Sequence, residues 1–139
     1  MFVHTMPHHA LSIIYIDQGS SYEKLYQLIA GYTGAQPSAK ELIYFNRDAP
    51  MSTPEKTRSL IHLIAQSATT RPPGGKTALL FERVALYGLG KIYLATERRI
   101  ANKTWETRIF RTLDDALQWL EVPADNVRIE IETQRKNAP

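Results

Sequence analysis

The chain contains no cysteine. That absence excludes a disulfide framework, a cysteine-ligated zinc site and a thiol nucleophile. It also lacks any apolar stretch near the roughly 18 residues that would span a bilayer. The opening "MFVHTMPHHA" has no basic start followed by a long apolar run, so it does not read as a secretion signal, and the expected location is the cytoplasm. There is no internal repeat and no low-complexity tract. Nor is there a strong excess of one charge: the formal net charge is +3 over 139 residues. Arg98, Arg99, Lys103, Arg108 and Arg111 crowd in sequence, but Glu97 and Glu106 interrupt them and no aromatic–basic alternation follows. The expectation is a solvated basic face and no nucleic-acid partner. What remains, 43% apolar and 22% charged residues, is the composition of one soluble domain large enough to bury a core.

One stretch invites a stronger reading. In "RPPGGKT", Gly75-Lys76-Thr77 is the tail of the phosphate-binding pattern G-x-x-x-x-G-K-[ST]. A phosphate loop needs a strand before it and a helix after it, so that backbone N–H groups face the phosphates. Here an amphipathic helix precedes and the apolar strand "ALLF" follows, and the first required glycine falls on Thr70. The stretch instead reads as a stop, Pro72-Pro73, and a turn, Gly74-Gly75.

Periodicity organises the rest. "LSIIYI" (11–16), "ELIYF" (41–45), "TALLF" (77–81) and "ETRIF" (106–110) are short apolar or β-branched runs, predicted as strands. Between them lie helical patterns. The first starts at Ser20, three residues before Glu23 as in a capping box, continues through Tyr22, Leu25, Tyr26 and Ile29, and meets Gly31 and Gly34 as stop signals. A second, capped by Thr53 with Pro54 at its first position, carries Leu60, Ile61, Leu63 and Ile64. The third runs through Val84, Leu86, Tyr87, Leu89, Ile92, Tyr93 and Leu94. It contains Gly88 and Gly90, each costing roughly 1 kcal/mol in a helix interior, which predicts a compensating close contact. "DDALQWL", capped by Thr112, is the last helix.

Alternating strands and helices predict an α/β fold: a four- to five-stranded, mostly parallel sheet flanked by helices. The whole chain, 1–139, is expected as one domain with its core over about 10–121. In the extension, 122–139, "NVRIEIET" alternates Val127, Ile129 and Ile131 with charged residues. That is a half-buried strand pattern, either an edge strand of this sheet or a pairing element in a dimer. The final "QRKNAP" is expected to fray.

Candidate chemistry is sparse. His4, His8 and His9 fall close together, but no carboxylate or cysteine accompanies them in sequence, and no metal or other cofactor is expected. His62 falls on the polar side of the second helix. No G-x-S-x-G elbow is present. Ligands of parallel sheets bind outside the carboxyl ends of the strands. The turns there bring Asp17, Ser20, Ser21, Arg47, Asp48, Ser52, Thr53, Arg83 and Tyr87 toward one rim, a candidate regulatory or ligand site. Ser20, Thr53 and Thr112 also have a plain structural use as helix caps.

Three stretches resemble the SpoIIAA-like group of STAS-type (STAS/SEC14-like) domains over about residues 10–121. They are "DQGSSYEKL", "TALLFERVALYGLGKIY" and the closing "FRTLDDALQWL", in which Ala116, Leu117, Trp119 and Leu120 form the apolar face. The resemblance implies a compact α/β domain without catalysis that works through a protein partner or as a homodimer. In STAS antagonists of anti-sigma factors a Ser or Thr at a helix start is phosphorylated. The nearest loop here, "DAPMST", offers Ser52 and Thr53 but lacks the glycine and the adjacent Asp-Ser pair. SEC14-like relatives imply the alternative of a small apolar or lipid-like ligand between the third helix and the sheet. From a different class, a hydrolase would use Ser20 or Ser52 with a histidine on the rim. The third helix is apolar nearly all round, more than one buried face requires, and is expected to form a dimer or ligand surface.

Overall fold

The structure is a computed structural model; it describes residues 1–18, 21–33, 38–49, 73–99 and 105–137, together with 53, 55, 56, 58, 59, 62 and 63. Strand β1 (Phe2–Met6) leads through a 3-10 turn, Pro7–His9, into β2 (Leu11–Ile16). Helix α1 (Tyr22–Thr33), β3 (Lys40–Phe45), β4 (Lys76–Phe81), α2 (Val84–Glu97), β5 (Glu106–Phe110), α3 (Leu113–Leu120) and α4 (Ala124–Asn137) follow.

The five strands form one mixed sheet in the order β1-β2-β3-β4-β5. β1 pairs antiparallel with β2, and the remaining neighbours are parallel. Right-handed crossovers between successive neighbours put their helices on a single face. Accordingly Leu25 of α1 and Leu86 and Tyr93 of α2 pack with Ile14, Ile16, Ile43, Leu79 and Phe81. The other face, Leu11, Ile13, Tyr15, Leu42, Tyr44, Ala78 and Leu80, is covered by Ala116, Leu117 and Leu120 of α3 and Val127 and Ile131 of α4. The central strands are therefore buried on both sides, which is why they read as continuous apolar runs.

The four expected strands are present, as is a fifth that the patterning does not announce. Residues 2–6 pair with β2 from Phe2↔Tyr15 to Met6↔Leu11. The extension is a correction. "NVRIEIET" is not an edge strand but part of α4, and residues 134–137 are helical rather than frayed. Val127 and Ile131 stand at i and i+4 and are buried, whereas Ile129 is 65% exposed. A period-two pattern contains an i, i+4 pair, and the available apolar sheet face selects the helical phase. Gly31 lies inside α1 rather than ending it, while Gly34 is outside the described residues. The expected second helix lies mostly outside them too; residues 55, 56, 58, 59, 62 and 63 are helical.

The "RPPGGKT" question closes here. Gly74 adopts φ +81°, a conformation that favours glycine, and the chain then enters β4. Lys76 turns to the opposite face and donates to the main-chain carbonyl of Trp119 at 3.2 Å. Its register partner Lys40 donates to the carbonyl of Glu121 at 3.2 Å. Two ammonium groups thus satisfy carbonyls at the C-terminus of α3, where positive charge is favoured.

Candidate functional site at the carboxyl ends of the strands

The carboxyl ends of β2, β3 and β4 lie side by side and carry a connected set of polar groups. Asn46, just past β3, donates from its amide to the Tyr15 hydroxyl, and its Oδ1 accepts from the Asp48 N–H at 2.7 Å. Glu82, just past β4, accepts the Tyr44 hydroxyl through Oε1 and the Arg47 N–H through Oε2 at 3.2 Å. The Tyr15 and Tyr44 rings meet edge to face at 5.1 Å. Phe2 of β1 stacks on Tyr15 at 5.0 Å, and the Arg135 guanidinium of α4 lies 5.6 Å from the Tyr15 ring centre. Tyr15, Tyr44, Leu113, Arg128, Ile131 and Arg135 border a cleft of about 180 Å³.

Burial pushes the Tyr44 phenol well above the ordinary tyrosine range, and the hydrogen bond and charge of Glu82 push it further. Burial also raises Tyr15, against the opposing hydrogen bond from Asn46 and the charge of Arg135. Both phenols stay protonated at neutral pH. Tyr44 acts as a donor, and Glu82 holds two donors rather than standing ready to take a proton from a substrate.

The second feature of this rim is the start of α2. Its first turn holds no acidic residue, and Arg83, at the N-cap, makes no capping hydrogen bond. Arg83 Nε is buried without a hydrogen-bond partner among the described residues. Arg111, from the end of β5, donates to the Phe81 carbonyl at 3.1 Å and lies 5.9 Å from the Tyr87 ring centre. Lys91 lies 5.8 Å from the same ring. From this start α2 crosses the sheet. A Cβ built at Gly90 would stand 2.8 Å from the Phe81 ring and 3.0 Å from Ile109. The helix therefore sits directly on the sheet there, and the slot expected between them is filled at that point. The expected compensating close contact is thus present, at Gly90. A Cβ built at Gly88 meets no atom within 4 Å among the described residues, and Val84 and Ile92 on the same stripe are 68% and 44% exposed.

The residues expected at the rim are only partly brought together. Asp17 meets the Met1 amino group at 3.1 Å. Ser21, not Ser20, caps α1, its hydroxyl accepting the Lys24 N–H at 3.2 Å. Thr53 accepts from Lys56 N–H at 3.3 Å, and Thr112 from Asp115 N–H at 3.3 Å. Arg47 and Asp48 enter the tyrosine cluster through their backbone N–H groups, and Arg83 and Tyr87 belong to α2. Ser20 and Ser52 lie outside the described residues.

Tyr15, Tyr44, Asn46, Glu82 and Arg135 are functional candidates that sequence reasoning missed. The tyrosines hide within apolar strands, where only their matched register (Tyr15↔Tyr44) sets them apart. Arg135 lies in the segment expected to fray. The basic cluster does not form one patch. Arg108 pairs with Glu106 at 3.0 Å and lies 5.3 Å from the Trp119 ring centre, on the sheet face opposite Arg111. His4 pairs with Glu130 of α4 at 2.7 Å. Among the described residues no group of three or more His, Asp or Glu side chains is placed to hold a metal ion, and no helix is long and apolar enough to cross a membrane.

No protein-family model, no curated protein and no solved structure matches this chain.

Proposed function

We propose that this chain is a non-catalytic interaction domain of STAS type that engages a protein partner through α2. The observation that carries the reading is the contrast between the two glycines of that helix. Gly90 has a reason inside the molecule, the close approach to Phe81 and Ile109. Gly88 has none among the described residues: it is exposed and a Cβ there would meet nothing, yet it forgoes about 1 kcal/mol of helix stability relative to alanine. It sits midway between the exposed side chains Val84 and Ile92. An apolar stripe with a gap at its centre is what a docked partner would use.

The STAS part of the reading is supported by the α/β architecture and by the closing motif. Phe110 and Trp119 of "FRTLDDALQWL" pack together at 5.5 Å, while Ala116, Leu117 and Leu120 are fully buried under the sheet. The interaction reading is further supported by the tyrosine cluster, where the best-placed carboxylate, Glu82, is occupied by Tyr44 and Arg47.

Native mass spectrometry of the purified protein tests the reading. The expected result is a bound polypeptide or a second copy that is lost in Ile92→Asp while the fold is kept. A bare monomer that turns over generic ester or phosphoester substrates would replace the reading with the hydrolytic one. A fragment-sized adduct lost on substituting Tyr15 or Arg135 would instead favour a small-ligand binder, placed at the 180 Å³ cleft rather than under α2.

A further inference from the structure

The charge that α2 itself exposes is of one sign. Its charged residues are Lys91, which is exposed, and Glu97, which is fully buried. The Glu97 carboxylate accepts hydrogen bonds from the Trp105 indole and, at 2.7 Å, from Thr107. Arg83 precedes the helix, exposed Arg98 and Arg99 follow it, and exposed Arg111 flanks Tyr87. The helix therefore sets an apolar stripe, Val84, Gly88 and Ile92, among cations, and contributes no exposed carboxylate of its own.

We propose that this face docks an acidic, apolar segment of a partner protein. A large apolar side chain of that segment enters the open space at Gly88, between Val84 and Ile92. Its carboxylates meet Arg83, Lys91 and Arg111. This deepens the interaction-domain reading and rests on it. Charge complementarity selects the partner's chemistry: like charges facing each other across an interface are costly and suppress wrong partners. A second copy of this chain would bring the same cations onto themselves. A membrane surface would fit the cations, but helices that lie in the bilayer interface present Trp, Phe or Leu, and here the stripe is Val, Gly and Ile. A nucleic-acid backbone would leave the apolar stripe unused.

Selection from a displayed library of random short peptides, followed by binding measurements on the winners, tests the proposal. The expected winners carry Asp or Glu around one or two large apolar anchors. Their binding should weaken about tenfold or more in Ile92→Asp and in Gly88→Leu, and also in Lys91→Glu and as salt is raised. Val84, Gly88, Lys91 and Ile92 face solvent or open space, so these variants should retain the wild-type circular dichroism spectrum. Winners without acidic residues, or winners unmoved by Lys91→Glu, would overturn the acidic-partner proposal. If those winners still lost binding in Ile92→Asp, the interaction reading would stand. Failure to obtain any binder sensitive to Ile92→Asp or Gly88→Leu would overturn both. Binding to phosphatidylserine-containing vesicles that the same variants abolish would assign the face to a membrane instead.

Discussion

The ammonium group of Lys76 is bound to the carbonyl oxygen of Trp119 at 3.2 Å and lies 5.1 Å from the centre of its ring. The lysine that imitates a nucleotide-binding residue is thereby committed to holding the end of α3 against the sheet. Lys76→Met should cost about 1–2 kcal/mol, the worth of a hydrogen bond from a charged donor in partly buried surroundings. The loss would be read as a lower unfolding midpoint. Titration of wild type with a nucleoside triphosphate should give no saturable heat. A micromolar affinity abolished by Lys76→Met would contradict this assignment.

The two glycines of α2 should respond in opposite directions to alanine. Gly90→Ala forces a methyl group to within 2.8 Å of Phe81. That ring is buried and stacked on Phe45 at 4.7 Å, so it cannot easily yield. The expected cost is about 1–3 kcal/mol. Gly88→Ala meets open space and should stabilise by about 0.5–1 kcal/mol. Chemical denaturation of the two variants side by side measures both. A loss of stability at Gly88 would mean that its neighbourhood is not open.

Titration of the tyrosine cluster has a definite sign. Tyr15 and Tyr44 are both raised above the ordinary 10.0, with burial the largest cause in each. Their protonated forms are favoured by folding. The stability tied to them is fully present below pH 10 and is lost as pH rises through the folded-state values. Wild type should therefore lose stability above about pH 10 more steeply than Tyr44→Phe, and phenolate absorbance should show late-titrating tyrosines in the folded protein. At neutral pH Tyr44→Phe removes one donor from Glu82 and should cost about 1–2 kcal/mol. Equal slopes for wild type and variant above pH 10 would refute the burial of this phenol.

The C-terminal helix makes its own prediction. Ile131 is 4% exposed and Ile129 is 65% exposed. Ile131→Ala should cost about 2–4 kcal/mol, and Ile129→Ala less than about 0.5 kcal/mol. A strand would bury both residues on one face and give similar losses, so unequal unfolding free energies decide between helix and strand.

The legible part of this protein was the part governed by local pattern. β2, β3 and β4 announced themselves because each is covered on both faces and is therefore largely apolar; β5, at the sheet edge, was legible from its short β-branched and aromatic run. The helix caps Thr53 and Thr112 were readable because a hydroxyl at the right offset is a local signal, whereas the cap of α1 is Ser21, one residue after the Ser20 that the Glu23 spacing suggested. β1 was not readable: "FVHTM" is short, shows neither a continuous apolar run nor a clean alternation, and its pairing comes from the edge of β2. The rim as a location followed from the strand order, as did Arg47, Asp48, Arg83 and Tyr87, yet the side chains that form its hydrogen-bonded cluster did not. Asn46 and Glu82 each sit one residue past a strand, where nothing local distinguishes them from solvated loop residues.

By itself the sequence determined the α/β class, the rejection of a phosphate loop at "RPPGGKT", and the amphipathic docking of α3 through Ala116, Leu117 and Leu120. Each depends on spacing along one segment. Only the tertiary structure decided whether "NVRIEIET" is strand or helix, which glycine of α2 touches the sheet, and which charges share a surface. Val127 and Ile131 satisfy both periods, so the choice belonged to the apolar face of the sheet waiting to be covered. Gly88 and Gly90 are alike in sequence, and the rotation of α2 on Phe81 and Ile109 separates them. Arg108 and Arg111, three residues apart, went to opposite faces of the sheet because alternate strand positions point in opposite directions.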